Sequence, residues 1–153
     1  MSEPGFKILQ IDHIGIAVNN PESLSDFLGV LKIASIGSEN IADQQVATTM
    51  FDVDSVHLEL LQPTEEASTI AKFIAKRGEG FHHLALRVDD LQNAIAYLTN
   101  CGLRMIDQEP RRGAGGKLIA FLHPKSTGGI LIELTQLDPN YLHHHAGETG
   151  VHQ

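Results

Sequence analysis

The chain has 153 residues, enough for one compact domain or two small packed modules, and its 42% hydrophobic content is ordinary for a globular protein. A formal net charge of −8 argues against a nucleic-acid partner, since phosphates call for a basic surface. No apolar run approaches the roughly 20 residues that span a bilayer, and the start "MSEPGFKILQ" lacks the basic beginning and apolar centre of a secretory signal, so no membrane partner is expected and the expected location is cytoplasmic.

Residues 1–7 read as an N-terminal tail and residues 8–63 as a first module. Within it "IDHIGIAV" (11–18) alternates as a strand, with Ile14, Ile16 and Val18 on one face and His13, Gly15 and Ala17 on the other. "NNPESLSDFL" then starts a helix, with Asn20 as its cap and Pro21 at the first helical position. "QQVATTMFDVDSVHLELLQ" supplies further strands around a turn at Asp54.

Residues 64–78 read as a linking helix, capped by Thr64, with an apolar stripe of Ile70, Phe73 and Ile74 and a stop at Gly78 after Lys76 and Arg77. It is a connector and not a site. Residues 79–137 form the second module: a strand in "GEGFHHLALRV", a helix "DDLQNAIAYL" capped by Asp90, and strands in "RRGAGGKLIAFLHPKSTGGILIELTQ" separated by the glycine turns "GAGG" and "KSTGG". The lone cysteine, Cys101, lies in the turn "TNCGL"; it excludes an intrachain disulfide and fits a reducing compartment. Residues 138–153 form a polar C-terminal tail whose "LHHH" at 142–145 inflates the histidine count without marking a site.

The two modules repeat one another. "IDHIGIAV" lies on "FHHLALRV", which sets His13 on His83 and not on His82 (13 to 83, an offset of 70), and Leu24, Phe27 and Leu28 on Ala94, Tyr97 and Leu98. "VHLELLQ" lies on "ILIELTQ", which sets Glu59 on Glu133 (59 to 133, an offset of 74). Adjacent strand residues face opposite ways, so His82 and His83 are expected to diverge, and small residues beside each histidine are expected to leave room for a ligand. Two imidazoles and two carboxylates then converge on one point. Carboxylates buried there are costly unless paired or metal-bound, and a divalent cation balances two of them. A nitrogen and oxygen set of this kind suits a borderline or hard divalent ion.

From about Ile8 to Gln136 the chain resembles the vicinal oxygen chelate superfamily, and within it the methylmalonyl-CoA epimerases. The resemblance is carried by "IDHIGIAV", "GEGFHHLALRVDD" and "GAGGKLIAFLHPKSTGGILIELTQ". It implies an α+β fold in which two tandem βαββ modules form a curved eight-stranded mixed sheet around a metal-binding cleft, a single functional domain assembled as a homodimer. The implied metal ligands are His13, Glu59, His83 and Glu133, holding one divalent ion, Co2+ or Mn2+ foremost, with Zn2+, Ni2+ or Fe2+ as alternatives. The implied activity belongs to propionate metabolism: interconversion of (R)- and (S)-methylmalonyl-CoA by α-proton removal and return through a metal-stabilised enolate.

The resemblance also suggests Glu133 as a catalytic base, while Thr48 stands where part of the family carries a second glutamate. For the acyl-CoA substrate, basic residues gather at Arg111, Arg112, Lys117 and Lys125, of which Lys117 and Lys125 are assigned to binding. Gln44 and His123 join them, on strand positions that can face the cavity. Two rival readings share the fold: a glyoxalase I-type lactoylglutathione lyase, and a metal-free small-molecule-binding protein. Four ligands argue against an extradiol dioxygenase, which is expected to use three.

Overall fold

In a computed structural model the described residues run from 3 to 140, so the "LHHH" run and the tail beyond residue 140 lie outside them. The elements are β1 (Ile8–Ala17), α1 (Glu22–Val30), β2 (Ser35–Ile41), β3 (Val46–Val53), β4 (Val56–Pro63), α2 (Thr69–Arg77), β5 (Gly80–Val88), α3 (Leu91–Asn100), β6 (Arg111–Arg112), β7 (Lys117–Leu122) and β8 (Leu131–Leu137). The fold is α+β with one eight-stranded sheet, ordered β2-β3-β4-β1-β5-β8-β7-β6. The sheet is mixed, because β1 and β4 run parallel while β2–β3, β3–β4, β6–β7 and β7–β8 are antiparallel. Each module carries one strand more than a βαββ pattern. The additional strands are β2, whose side chains are exposed up to Ile41, and the two-residue β6, neither of which presents the buried alternation that marks a strand. Among the described residues no helix is long and apolar enough to cross a membrane.

Internal contacts divide the chain into two compact units whose boundaries fall within β1 and β5. One holds Ile11–Ala85, and the other holds residues up to Gln10 together with those from Leu86 onward.

In the unit of Ile11–Ala85, Ile16 of β1, Val18 just beyond it, and Leu58 and Leu60 of β4 pack with Leu24 and Leu28 of α1 and with Phe51. This is the apolar face anticipated from the alternation, and each fully buried Leu there contributes about 1.5–3 kcal/mol. The N-cap position of α1 falls to Pro21 (φ −75, ψ −10), which has no side-chain acceptor to close the helix, and not to Asn20; Asn20 stands one residue earlier, where its Oδ1 accepts from the Glu22 amide at 2.9 Å. The opposite face is partly covered too. Ala17, Val46 and Leu61 pack against Ile70, Phe73 and Ile74 of α2, so the linking helix is also a cover on the histidine side of the sheet. Its cap is Ser68 and not Thr64: the Ala71 amide donates to Ser68 Oγ at 2.9 Å, while the Thr64 amide is spent on Gln45 O in the preceding loop. Asp54, at φ 57, makes the left-handed turn between β3 and β4.

In the other unit α3 rests on β7 and β8 through Leu91, Ala94, Ile95, Ala120, Leu122 and Leu134. Its N-terminus is closed by Asp90 Oδ1, which accepts from the Asn93 amide at 3.0 Å. Tyr97 sets its ring edge-on to Phe6 at 5.9 Å. Gly128 and Gly129, at φ 69 and 90, make the turn before β8 that a side chain would strain.

Candidate metal centre

His13 lies on β1 and Glu59 on the neighbouring β4, where the parallel register sets Gly15 beside Glu59 and His13 beside His57. Residues of one register row share a face, so His13, Glu59 and His57 all project to the side away from α1. His13 Nε2 stands 2.9 Å from Glu59 Oε2 and 2.9 Å from His83 Nε2, and His83 Nε2 stands 3.9 Å from the same carboxylate oxygen. All three side chains are buried, at 4 to 6% exposure. His57 turns its Nδ1 toward Asp52 Oδ1 at 3.4 Å and does not join the group.

Three donor atoms crowded in this way fit a divalent cation. Two donors about 2.1 Å from an ion and at right angles to it stand about 3.0 Å apart, the spacing that His13 makes with both partners. Two imidazole nitrogens and a carboxylate oxygen match the donor preferences of Mn, Co, Fe, Ni and Zn. A carboxylate taken out of water at such a site is tolerated when a cation answers it.

The close packing depends on Gly15. A Cβ there would lie 2.2 Å from His83 Cε1 and 2.3 Å from its Nδ1. The space expected to admit a ligand at this glycine is filled by the His83 ring. Only hydrogen at residue 15 allows the imidazole of β5 to lie over β1.

Two residues enter the centre that the sequence reading did not place there. Asp12 is wholly buried and its Oδ2 accepts from His13 Nδ1–H at 2.7 Å. His82 brings its Nδ1 to 2.9 Å from His83 Nδ1 and sets its ring edge-on to both His83 (5.1 Å) and Phe73 of α2 (4.8 Å). Strict alternation would send both away from the histidine that follows them. Their repeat positions were the available signal, since the offset of 70 that sets His13 on His83 also sets Asp12 on His82.

Thr48 is buried on β3 opposite Leu61, and its hydroxyl donates to Glu39 O at 3.4 Å. In the other unit Glu133 is buried at 5% exposure on β8, cross-strand from Phe121. The positions assigned to substrate binding need correction in part. Gln44 is not on a strand but ends an exposed 3-10 turn, Ala42–Gln44, because the chain must reverse between β2 and β3. His123 lies just beyond β7, and its Nδ1 accepts from the Lys125 amide at 3.1 Å, capping the turn Pro124–Ser126. Partial burial holds the His123 pKa below its usual value, and Arg104 and Lys125 push the same way. Lys125 is exposed in that turn and Lys117 opens β7 half-buried. Arg111 and Arg112 are engaged with Asp107 (2.9 Å) and Asp138 (3.1 Å), which offsets the basic cluster read from the sequence.

Comparison with known proteins identifies the family of the chain. Residues 12–121 match the model of the Glyoxalase/Bleomycin resistance protein/Dioxygenase superfamily. The chain is 38% identical over 128 residues to the uncharacterised protein YqjC of Bacillus subtilis, covering 83% of this chain and 91% of that one. It is 35% identical over 129 residues to the mitochondrial methylmalonyl-CoA epimerase of Dictyostelium discoideum, covering 83% and 78%. Among solved structures, a methylmalonyl-CoA epimerase in complex with methylmalonyl-CoA and NH4+ superposes with a TM-score of 0.82 at 34% identity, covering 87% of this chain and 97% of that one. The chain therefore belongs to the glyoxalase/bleomycin resistance protein/dioxygenase superfamily and, within it, to the family of the methylmalonyl-CoA epimerases.

Proposed function

We propose that the protein is a metal-dependent isomerase that interconverts (R)- and (S)-methylmalonyl-CoA. The observation that carries the reading is the meeting of His13, Glu59 and His83 donor atoms at 2.9 to 3.9 Å in a buried setting, in a chain of the epimerase family. Glu133 is the proposed fourth ligand, supported by its repeat equivalence to Glu59 and by its burial. Co2+ or Mn2+ is the proposed ion, with Zn2+, Ni2+ or Fe2+ as alternatives of the same donor preference. Bound there, the ion would supply positive charge where negative charge develops as the α-proton leaves.

The chain's own groups do the rest. Glu133 is the proposed carrier that takes the proton from the carbon between thioester and carboxylate and returns it. Thr48 cannot replace a second glutamate, since a threonine hydroxyl is too weak a base and this one is turned to Glu39 O. Lys117, Lys125, His123 and Gln44 remain proposed contacts for the acyl-CoA.

A homodimer in the cytoplasm completes the reading. The exposed Phe27, Val30 and Leu31 around the end of α1 offer apolar area for a second copy to cover, and light scattering tests it. The free, exposed Cys101 suits a reducing compartment.

The deciding experiment is α-proton exchange of methylmalonyl-CoA in deuterium oxide by the Co2+- or Mn2+-loaded protein. Exchange with interconversion of the epimers is expected. An unchanged substrate together with turnover of a glutathione hemithioacetal would replace the epimerase with a lactoylglutathione lyase. No turnover and no metal retained after replenishment would favour a metal-free binding protein.

A further inference from the structure

We infer that Asp12 and His82 are positioning residues that hold the two ligand histidines by their rear nitrogens, and that they do so with unequal strength. The inference rests on the metal reading above. Each residue immediately precedes its histidine, each occupies the same place in the repeat, and each meets Nδ1, the ring atom that points away from the donor cluster.

The chemistry of an imidazole gives these contacts their consequence. A neutral ring carries one N–H, and the nitrogen without it is the one that can donate a lone pair. Asp12, as a carboxylate, can only accept, so the proton it contacts at 2.7 Å sits on His13 Nδ1 and the Nε2 lone pair is left toward Glu59 and His83. The same contact fixes the ring plane. A buried carboxylate behind a ligand histidine also makes that ligand more basic, a role partners of this kind play at metal sites generally.

His82 acts on His83 with a neutral acceptor. One of the two Nδ1 atoms must carry the proton between them, and for His83 Nε2 to serve as a donor that proton must be its own. His82 is in turn held edge-on by Phe73 of α2, so the linking helix reaches the centre through one ring contact. A neutral acceptor orients as a carboxylate does but adds no negative charge, and charge-assisted hydrogen bonds are roughly twice as strong as neutral ones. His13 is thus the more firmly set of the two ligands.

The test is Co2+ affinity by calorimetry, read beside the visible absorption of the bound ion, with circular dichroism of the metal-free protein as the check on folding. Asp12→Ala should weaken binding by about 10- to 100-fold and change the absorption, as loss of such a partner does elsewhere. Asp12→Asn, which keeps the shape and an oxygen acceptor, should lose less than Asp12→Ala but measurably. His82→Phe, which keeps a ring against Phe73 and removes Nδ1, should lose less than Asp12→Ala. If Asp12→Ala does not fold, Asp12→Asn decides alone, and unchanged affinity there overturns the inference. Unchanged affinity and absorption in a folded Asp12→Ala also overturns it, as does a His82→Phe loss equal to or greater than that of Asp12→Ala. A wild-type protein that binds no Co2+ would instead remove the metal reading, and with it this use of the two residues.

Discussion

His13 and His83 occupy one position of a twofold repeat, yet their surroundings differ in two ways that affect how each is held. Behind His13 stands a wholly buried carboxylate at 2.7 Å, and behind His83 a half-buried imidazole at 2.9 Å. Two residues after His13 is Gly15, over which the His83 ring lies, whereas two residues after His83 is Ala85, which is wholly buried with its methyl in place. A repeat therefore keeps the donors in common and lets the supporting residues diverge. In the proposed metal centre a shared ion would constrain the donor positions, while the supports would answer only to the local space around each ring.

The largest expected effect sharpens the equality of the donors. His13→Ala and His83→Ala should each leave the protein without stoichiometric metal by elemental analysis, since each removes one of three crowded donor atoms. Retention of metal by one of the two would break the symmetry at its centre. With the ion in place, Glu133→Gln should slow α-proton exchange on the order of 10²- to 10⁴-fold, the usual contribution of a positioned acid or base. Loss of exchange with metal retained would separate its base role from ligation.

A smaller effect sharpens the difference in the supports. Gly15→Ala drives a methyl into the His83 ring and should destabilise the fold by about 1–3 kcal/mol, read from urea denaturation, while also lowering metal affinity. Ala85→Gly, at the matching position, should cost only about 0.5–1 kcal/mol. Equal losses would show that the crowding at Gly15 is relieved elsewhere.

The smallest effect concerns His123, in the second module only. Its pKa in the folded protein should fall below 6.5 by NMR titration, and Lys125→Ala should raise it, because partial burial, Arg104 and Lys125 all disfavour the charged ring. A folded pKa below the unfolded one means that this group's contribution is fully present above the unfolded pKa. It is lost as the pH falls from there through the folded pKa.

Much of the fold was legible because it rests on periodicity. The alternation of Ile16 and Val18 marked the face under α1, and Asp90 marked the start of α3. The strand that escaped notice is the exposed β2, which has no buried face, whereas the two-residue β6 falls on the stretch read as a strand before "GAGG". Thr64 and Ser68 are both able caps, and local pattern could not separate them. The choice fell to Ser68 because the chain at Thr64 is held by Gln45 in the loop before β3.

For the centre, the order of residues along the chain determined that His13 and His83, and Glu59 and Glu133, hold matching places, because an internal repeat is a property of the sequence itself. Tertiary structure alone decided that Asp12 and His82 reach the rear of those histidines, that the His83 ring consumes the space beside Gly15, and that Phe73 steadies His82. Alternation states which face a strand residue leaves from. It does not state how a ring rotates once a neighbouring strand and a covering helix close around it, and that rotation sets which nitrogen meets which partner.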